Sequence, residues 1–312
     1  MIDVRLLAFE TGGTKLVVAL TDAEANLIET RVLRRAEADR AETSLARLLD
    51  AGRALLAGAR PTAVGFGYGG AVDRERRRPL VCLHEPGWEA LDIVAAVEAE
   101  FGAPVALEND CKAAALAEAR LGAGRGAESV FYATIGTGIG GGFVRDGRIA
   151  AFGPRGECEV GHVVVEPGGP ECDCGNRGCL EALCAGPRFP RLYRGGADGL
   201  AAREIFERAA AGDAEAERAL DRAADYLGRA FGSIANLLCP QRIVAGGGLG
   251  SAYPAFLEQV ERRMEAYTVP YFRGRARVVP GTLGESVVTR GAALLARELA
   301  SKPVAQGVSP GS

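Results

Sequence analysis

Between Glu157 and Cys184 the chain gathers the side chains best suited to chemistry. The run ECEVGHVVVEPGGPECDCGNRGCLEALC holds five of the eight cysteines and one of the two histidines. The spacing His162-x9-Cys172-x-Cys174-x4-Cys179, with Cys158 and Cys184 flanking, suits a metal knuckle. Three thiolates and one imidazole form a closed tetrahedral zinc set with no position left for water, so a metal there is structural. The C-x-C step is tighter than the usual C-x2-C, and reduced cysteines without a metal are the competing reading. If the ion is bound, it pins Glu159, three residues before His162, and Glu181, two after Cys179. His162 can bind metal through one ring nitrogen and offer the other N–H to a ligand.

A second candidate lies at the end of an apolar strand, in PVALENDCKAAALAEARLGAG. Glu108-Asn109-Asp110 closes the strand and an alanine-rich helix follows. Asp110 at such a junction is a good helix cap. It is equally placed to accept a proton from a substrate hydroxyl, because ligands of α/β sheets bind beyond the carboxyl ends of the strands. Lys112, which starts the helix, is expected to point to solvent.

The chain has 43 glycines, concentrated in a few runs. TGGTK (Thr11 to Lys15) and GTGIGGG (Gly136 to Gly142) each join two strands. Turns of small residues let backbone N–H groups converge on an anion. Neither is a Walker loop, and neither is a Rossmann fingerprint, since a strand follows each. Two tight hairpins would account for them as well, but their equivalent places favour phosphate. A third run, Gly246 to Gly248, sits between a strand and a helix, where bare backbone suits a flat adenosine or close packing.

The elements that must position these groups are legible. Strands are expected at 5–9, 15–20 and 26–33, then a helix at 44–57, a strand at 62–67, a helix at 90–101, a strand at 105–108 and a helix at 111–121. The segment SVFYATIGTGIGGGFVRDGRIAA repeats the opening plan of strand, glycine turn, strand, turn, strand. Two related α/β halves follow from that echo. Leu220, Ala224, Leu227, Phe231, Ile234 and Leu238 mark one long helix over 214–238, stopped by Pro240. A strand (242–245), a helix (253–267), a strand (277–279) and a last helix (285–299) follow, and the final residues 301–312 read as a disordered tail.

Composition bounds the partners. With 312 residues, 48% hydrophobic, 25% charged and a net charge of -3, the chain is a globular protein with no nucleic-acid or membrane-surface signature. No apolar run reaches membrane length, and the N-terminal apolar run is too short for a signal peptide. A cytoplasmic location, where thiols stay reduced, is the expectation.

In order, ETGGTK, ENDCKAAALAE, TIGTGIGGG, GECEVGH and CDCGNRGCLE resemble the ROK family of bacterial sugar kinases and repressors, over roughly Leu6 to Leu299. The resemblance implies the actin-like/hexokinase ATPase (ribonuclease H-like) fold, with two α/β domains around a cleft. One would span residues 1–121 plus the helix 285–300, the other 122–284 with the zinc loop 156–184. It implies an ATP- and magnesium-dependent hexose kinase, glucokinase-like, with Asp110 as general base. Gly70, Asn109, Asp110, Glu159, His162 and Glu181 would meet the sugar. His162, Cys172, Cys174 and Cys179 would bind structural zinc. Glu10, Gly12, Gly13, Thr14, Lys15, Gly136, Thr137, Gly138, Gly246, Gly247 and Gly248 would meet the nucleotide and its metal. Many members carry Asp where this chain has Glu10, which sets the charge about 1.5 Å farther out and is similar to fructokinase-like members. Lys112 stands where Asn is frequent. The first turn begins at residue 10, which leaves no room for the helix-turn-helix of the repressors. Fructokinase, N-acetylmannosamine kinase and a non-catalytic sugar sensor are the alternatives; a homodimer is expected by analogy.

Overall fold

The computed structural model describes residues 5–36, 39–82, 85–153, 157–195 and 200–301. Gly156, at the head of the expected zinc loop, and the expected tail beyond Ser301 lie outside them. The chain divides into two compact units. Residues up to Glu108 and from Thr289 onward form the first, and Asn109–Val288 the second.

In the first unit, β1 (Leu6–Thr11), β2 (Lys15–Thr21) and β3 (Leu27–Arg34) form an antiparallel meander. Helix α1 (Ala41–Leu56) leads to β4 (Ala63–Tyr68), parallel to β1. A small hairpin of β5 (Ala71–Asp73) and β6 (Arg78–Val81) precedes α2 (Ile93–Phe101) and β7 (Val105–Asn109). The sheet order is β3-β2-β1-β4-β7. Strand β1 is buried at every residue because both faces are covered, which is why it reads as a continuous apolar run. Strand β3 lies at the edge, and its exposed Glu29 and Arg31 discourage further pairing. Asp92 caps α2 by accepting from Ala95 N, and Gly102 ends it in the left-handed conformation. Val94, Val97 and Phe101, three or four residues apart on α2, are buried, with Phe9 against both Phe66 and Phe101.

The second unit repeats the plan. After α3 (Asp110–Leu121) come β8 (Ser129–Ile135), β9 (Ile139–Arg145) and β10 (Arg148–Ile149), again antiparallel. Then α4 (Leu180–Cys184), α5 (Ala202–Ala210) and α6 (Ala214–Leu238) precede β11 (Arg242–Gly246), which runs parallel to β8. Helices α7 (Gly247–Ala252) and α8 (Pro254–Tyr267) and strand β12 (Arg277–Pro280) complete this unit, and α9 (Val287–Ala300) returns to the first from Thr289 onward. The sheet order is β10-β9-β8-β11-β12, the counterpart of the first. Asp213 caps α6 at the start expected from the sequence, and Cys239 ends it before Pro240. Among the described residues no helix is long and apolar enough to cross a membrane.

Helix α3, expected with the N-terminal domain, packs on β8 and β9 and belongs to the second unit. The cause is the glycine content of β9. An added Cβ on Gly142 would stand 2.8 Å from Ala115 Cβ, 2.9 Å from Lys112 Cα and 3.0 Å from Cys111 O. On Gly140 it would stand 2.6 Å from Cys111 Sγ. Strand and helix therefore touch backbone to backbone. This seating also corrects the expectation for Lys112, which is 2% exposed because the first turn of α3 faces the sheet. The far end of α3 is clamped by Glu118, 1% exposed, which accepts from Ala123 N (2.7 Å), Thr282 N (2.8 Å) and Leu283 N (3.0 Å). Replacing Gly142 by Val should overpack the contact and lower unfolding free energy by about 1–3 kcal/mol, measured by urea denaturation.

Candidate active site

The first unit supplies a buried carboxylate and a glycine turn. Glu10, near the end of β1, is 5% exposed, and Thr289 Oγ1 on α9 donates to its Oε2 at 2.6 Å. The turn that follows closes with Gly12 N donating to Lys15 O at 3.0 Å, and Thr14 is exposed at its tip. Gly69 N donates to Thr11 Oγ1 at 2.9 Å, which lays the segment carrying Gly70 against this turn. Glu10, Gly12 to Lys15 and Gly70 are thus one neighbourhood. Glu108 at the end of β7 is neutralised by Arg74 Nε at 2.8 Å.

In the second unit the cap question resolves in favour of Asn109. Its Oδ1 accepts from Lys112 N at 3.1 Å, so Asn109 is the cap of α3 and Asp110 the first helical residue. Asp110 is spared that task. Its Oδ1 accepts from Asn109 Nδ2 at 3.0 Å and Cys111 N at 2.7 Å, which orients a half-buried carboxylate at the head of the helix. Burial raises the Cys111 thiol well above its ordinary value, and the carboxylates of Asp110 and Glu159 push it the same way. Both acids therefore bear on one thiol. Burial also raises Cys158, while the Lys112 ammonium pulls it down, so Lys112 lies within electrostatic reach of both thiols.

Glu159 and His162 flank a short 3-10 turn, Val160–His162. The Gly in E-x-G-H is a matter of space, since a Cβ on Gly161 would fall 2.0 Å from Ile139 O. Glu181 on α4 reaches the same place from another direction, accepting from Ile139 N at 2.7 Å. The second glycine turn is held by Gly136 N donating to Gly138 O (3.0 Å) and Gly186 N donating to Gly136 O (2.7 Å), with Thr137 exposed. Beside it, β11 pairs Gly246 with Thr134 of β8, so the third glycine run opens at the carboxyl end of the same sheet. Gly247 and Gly248 start α7, a helix the sequence reading did not place. Asn109 and Asp110 therefore head α3, which is seated on β9. Glu181 and the turn carrying Glu159 and His162 both meet Ile139, the first residue of that strand.

The four expected metal ligands converge as well. One donor atom from each of His162, Cys172, Cys174 and Cys179 lies within 4.8 Å of all the others. Cys172 Sγ is 3.6 Å from His162 Nδ1, and Cys174 Sγ is 3.7 Å from Cys179 Sγ. A tetrahedron with metal–sulfur bonds of about 2.3 Å has edges of roughly 3.7 Å, so the donor set fits a four-coordinate ion. The thiols diverge for local reasons. The Asn176 backbone N–H lowers Cys174, whereas burial and the adjacent sulfurs push Cys179 up to about 12. A dication among them would favour the thiolates.

Sequence reasoning missed Glu118 and the interior placement of Lys112. The available signal was their position: they are the charged residues within the otherwise apolar, alanine-rich run Cys111 to Ala119.

Comparison with known proteins follows the same outline. The ROK family model matches residues 6–299. A ROK hexokinase from Thermus thermophilus superposes with a TM-score of 0.82 at 34% identity, covering 95% of this chain and 99% of that one. A ROK family glucokinase from Streptomyces griseus, solved in complex with glucose and AMPPNP, superposes with a TM-score of 0.79 at 30% identity over 94% and 99% of the two chains. The N-acetylmannosamine kinase of Escherichia coli O139:H28 is 32% identical over 292 residues, 91% of this chain and 98% of its own. A family match across nearly the whole chain means that the chain belongs to the ROK family.

Proposed function

We propose that the chain is an ATP-dependent hexose kinase that phosphorylates glucose to glucose 6-phosphate. The observation that carries this reading is the transfer of the capping role to Asn109, which leaves Asp110 as an oriented carboxylate at the carboxyl end of a strand. Asp110 takes the proton of a sugar hydroxyl as that oxygen forms its bond to the γ-phosphorus, and the bond to the β-phosphate oxygen breaks to release ADP. Phosphoryl transfer of this kind depends on positioning and charge neutralisation more than on covalent chemistry. The relatives named glucokinase and hexokinase, one of them holding glucose and AMPPNP, support the assignment.

In this reading Asn109, Glu159, His162, Glu181 and Gly70 hold the sugar. Gly12 and Gly136 use their own N–H groups within their turns, so Gly13, Thr14, Thr137 and Gly138 supply the donors to phosphate. Lys15 adds positive charge beside the first turn, and Gly246 to Gly248 face adenosine. Glu10 would help hold the hydrated magnesium, the ion that neutralises charge on the phosphates. Zinc on His162, Cys172, Cys174 and Cys179 would fix the loop that bears Glu159 and Glu181, and a closed ligand set does not activate water.

A second sugar is favoured by one observation, the 32% identity to an N-acetylmannosamine kinase. Discrimination rests on groups around the C2 substituent. A coupled ADP assay over glucose, fructose, mannose and N-acetylmannosamine should give glucose the highest kcat/KM. A higher value for N-acetylmannosamine would replace the assignment.

Asp110→Asn should reduce kcat by about 10²–10⁴-fold while glucose binding by calorimetry is retained. Turnover within tenfold of the parent would remove Asp110 from the role of base. Elemental analysis should find close to one zinc per chain and almost none after Cys174→Ser. The same variant should raise KM for glucose by about 10-fold or more, and unchanged zinc content would exclude this ligand set.

A further inference from the structure

The segment Arg188 to Arg194, PRFPRLYRGG in its setting, places arginines at every third residue. Phe189–Leu192 is a 3-10 helix. Of the three arginines only Arg191 lies within that helix; Arg188 precedes it and Arg194 follows the extended Tyr193. They line a cavity of about 260 Å³, with Arg222 and Tyr226 from α6 opposite and Leu183 of α4 among the apolar groups. Asp110, Asn109, Glu159 and the four metal ligands are not among the lining residues.

The acids nearby are already committed. Arg188 pairs with Asp173 at 3.0 Å, Glu166 on the wall pairs with Arg229 at 3.2 Å, and Glu215 takes both Arg218 and Arg222. Among the described residues, neither the Arg191 nor the Arg194 guanidinium has a carboxylate partner. Arg222 is held by Leu192 O and Glu215, yet its Nε is buried with no hydrogen-bond partner. Burial and the Glu166 carboxylate raise the Tyr226 phenol, while Arg229 and, more weakly, Arg194 pull it the other way. With Arg188, Arg222 and Glu166 each paired, the Arg191 and Arg194 guanidiniums leave an excess of positive charge in a concave site, with planar donors that match phosphate oxygens bidentately.

We propose that this cavity binds a phosphate dianion, either free or carried on a small organic molecule whose carbon skeleton rests on Leu183 and Leu192. The site is separate from the kinase reading and does not depend on it. Ala182 and Leu183 directly follow Glu181 on α4, so an occupant would press on the helix that carries that glutamate.

Calorimetric titration of the full chain with glycerol 3-phosphate and, separately, with inorganic phosphate tests this. One saturable site per chain is expected, weakened at least tenfold in Arg191→Glu/Arg194→Glu and weakened by added salt. Both substituted residues are exposed, so the melting temperature should hold; Arg191→Ala alone, with a smaller loss, serves if the double variant does not fold. Tighter binding of glycerol 3-phosphate assigns the site to organic phosphates, and equal binding assigns it to free phosphate. Absence of saturable binding, or equal binding by the parent and the charge-reversed variant, overturns the proposal.

Discussion

Everything placed in the second unit depends on a strand with almost no side chains. From Ile139 to Gly142, β9 is approached from both faces at distances that a Cβ would forbid. Cys111 and Lys112 of α3 rest on Gly140 and Gly142, the Cys158 carbonyl lies over Gly141, and Gly161 lies on Ile139 O. Glu181 takes the Ile139 N–H. Residues separated by some seventy positions in the chain thereby share one short stretch of backbone as their common reference. Packing of this density is also unforgiving, because one added methyl group has nowhere to go.

Helix α3 is fixed at both ends by polar groups of unequal weight. The Asn109 cap contributes about 1 kcal/mol. Glu118 satisfies three backbone N–H groups in a buried setting, where each unmade bond costs about 1–3 kcal/mol. The clamp at the far end thus outweighs the cap, and the head of the helix, with Asp110, inherits its rigidity. In the proposed role as proton acceptor Asp110 would need to be held to a fraction of an ångström, and Glu118 serves that need from the far end of the helix.

The cysteine-rich loop solves a similar problem by other means. Val160, Val165, Leu180 and Leu183 anchor its ends in the main core, but around the four donors only Cys172, Cys179 and Ala182 form a small cluster. Four donor atoms brought within 4.8 Å of each other would let an ion, once bound, do the work of a core there. The arginines that follow the loop, from Arg188 to Arg194, show the opposite economy: like charges crowded along seven residues, of which Arg188 is balanced by Asp173.

The sequence by itself determined the elements and their order. Apolar periodicity located α6 to the residue, and the repeated strand, glycine turn, strand pattern anticipated two sheets of equivalent order, because such signals are local and survive without tertiary context. The convergence of His162, Cys172, Cys174 and Cys179 was also anticipated, from rare residue types at close spacing. Tertiary structure alone decided the rest. It moved α3 to the second unit, buried Lys112, gave the cap to Asn109 and divided GTGIGGG into a turn and a packing surface. Each of these turns on which backbone lies within 3 Å of which, and a linear pattern holds no record of contacts between residues far apart in the chain.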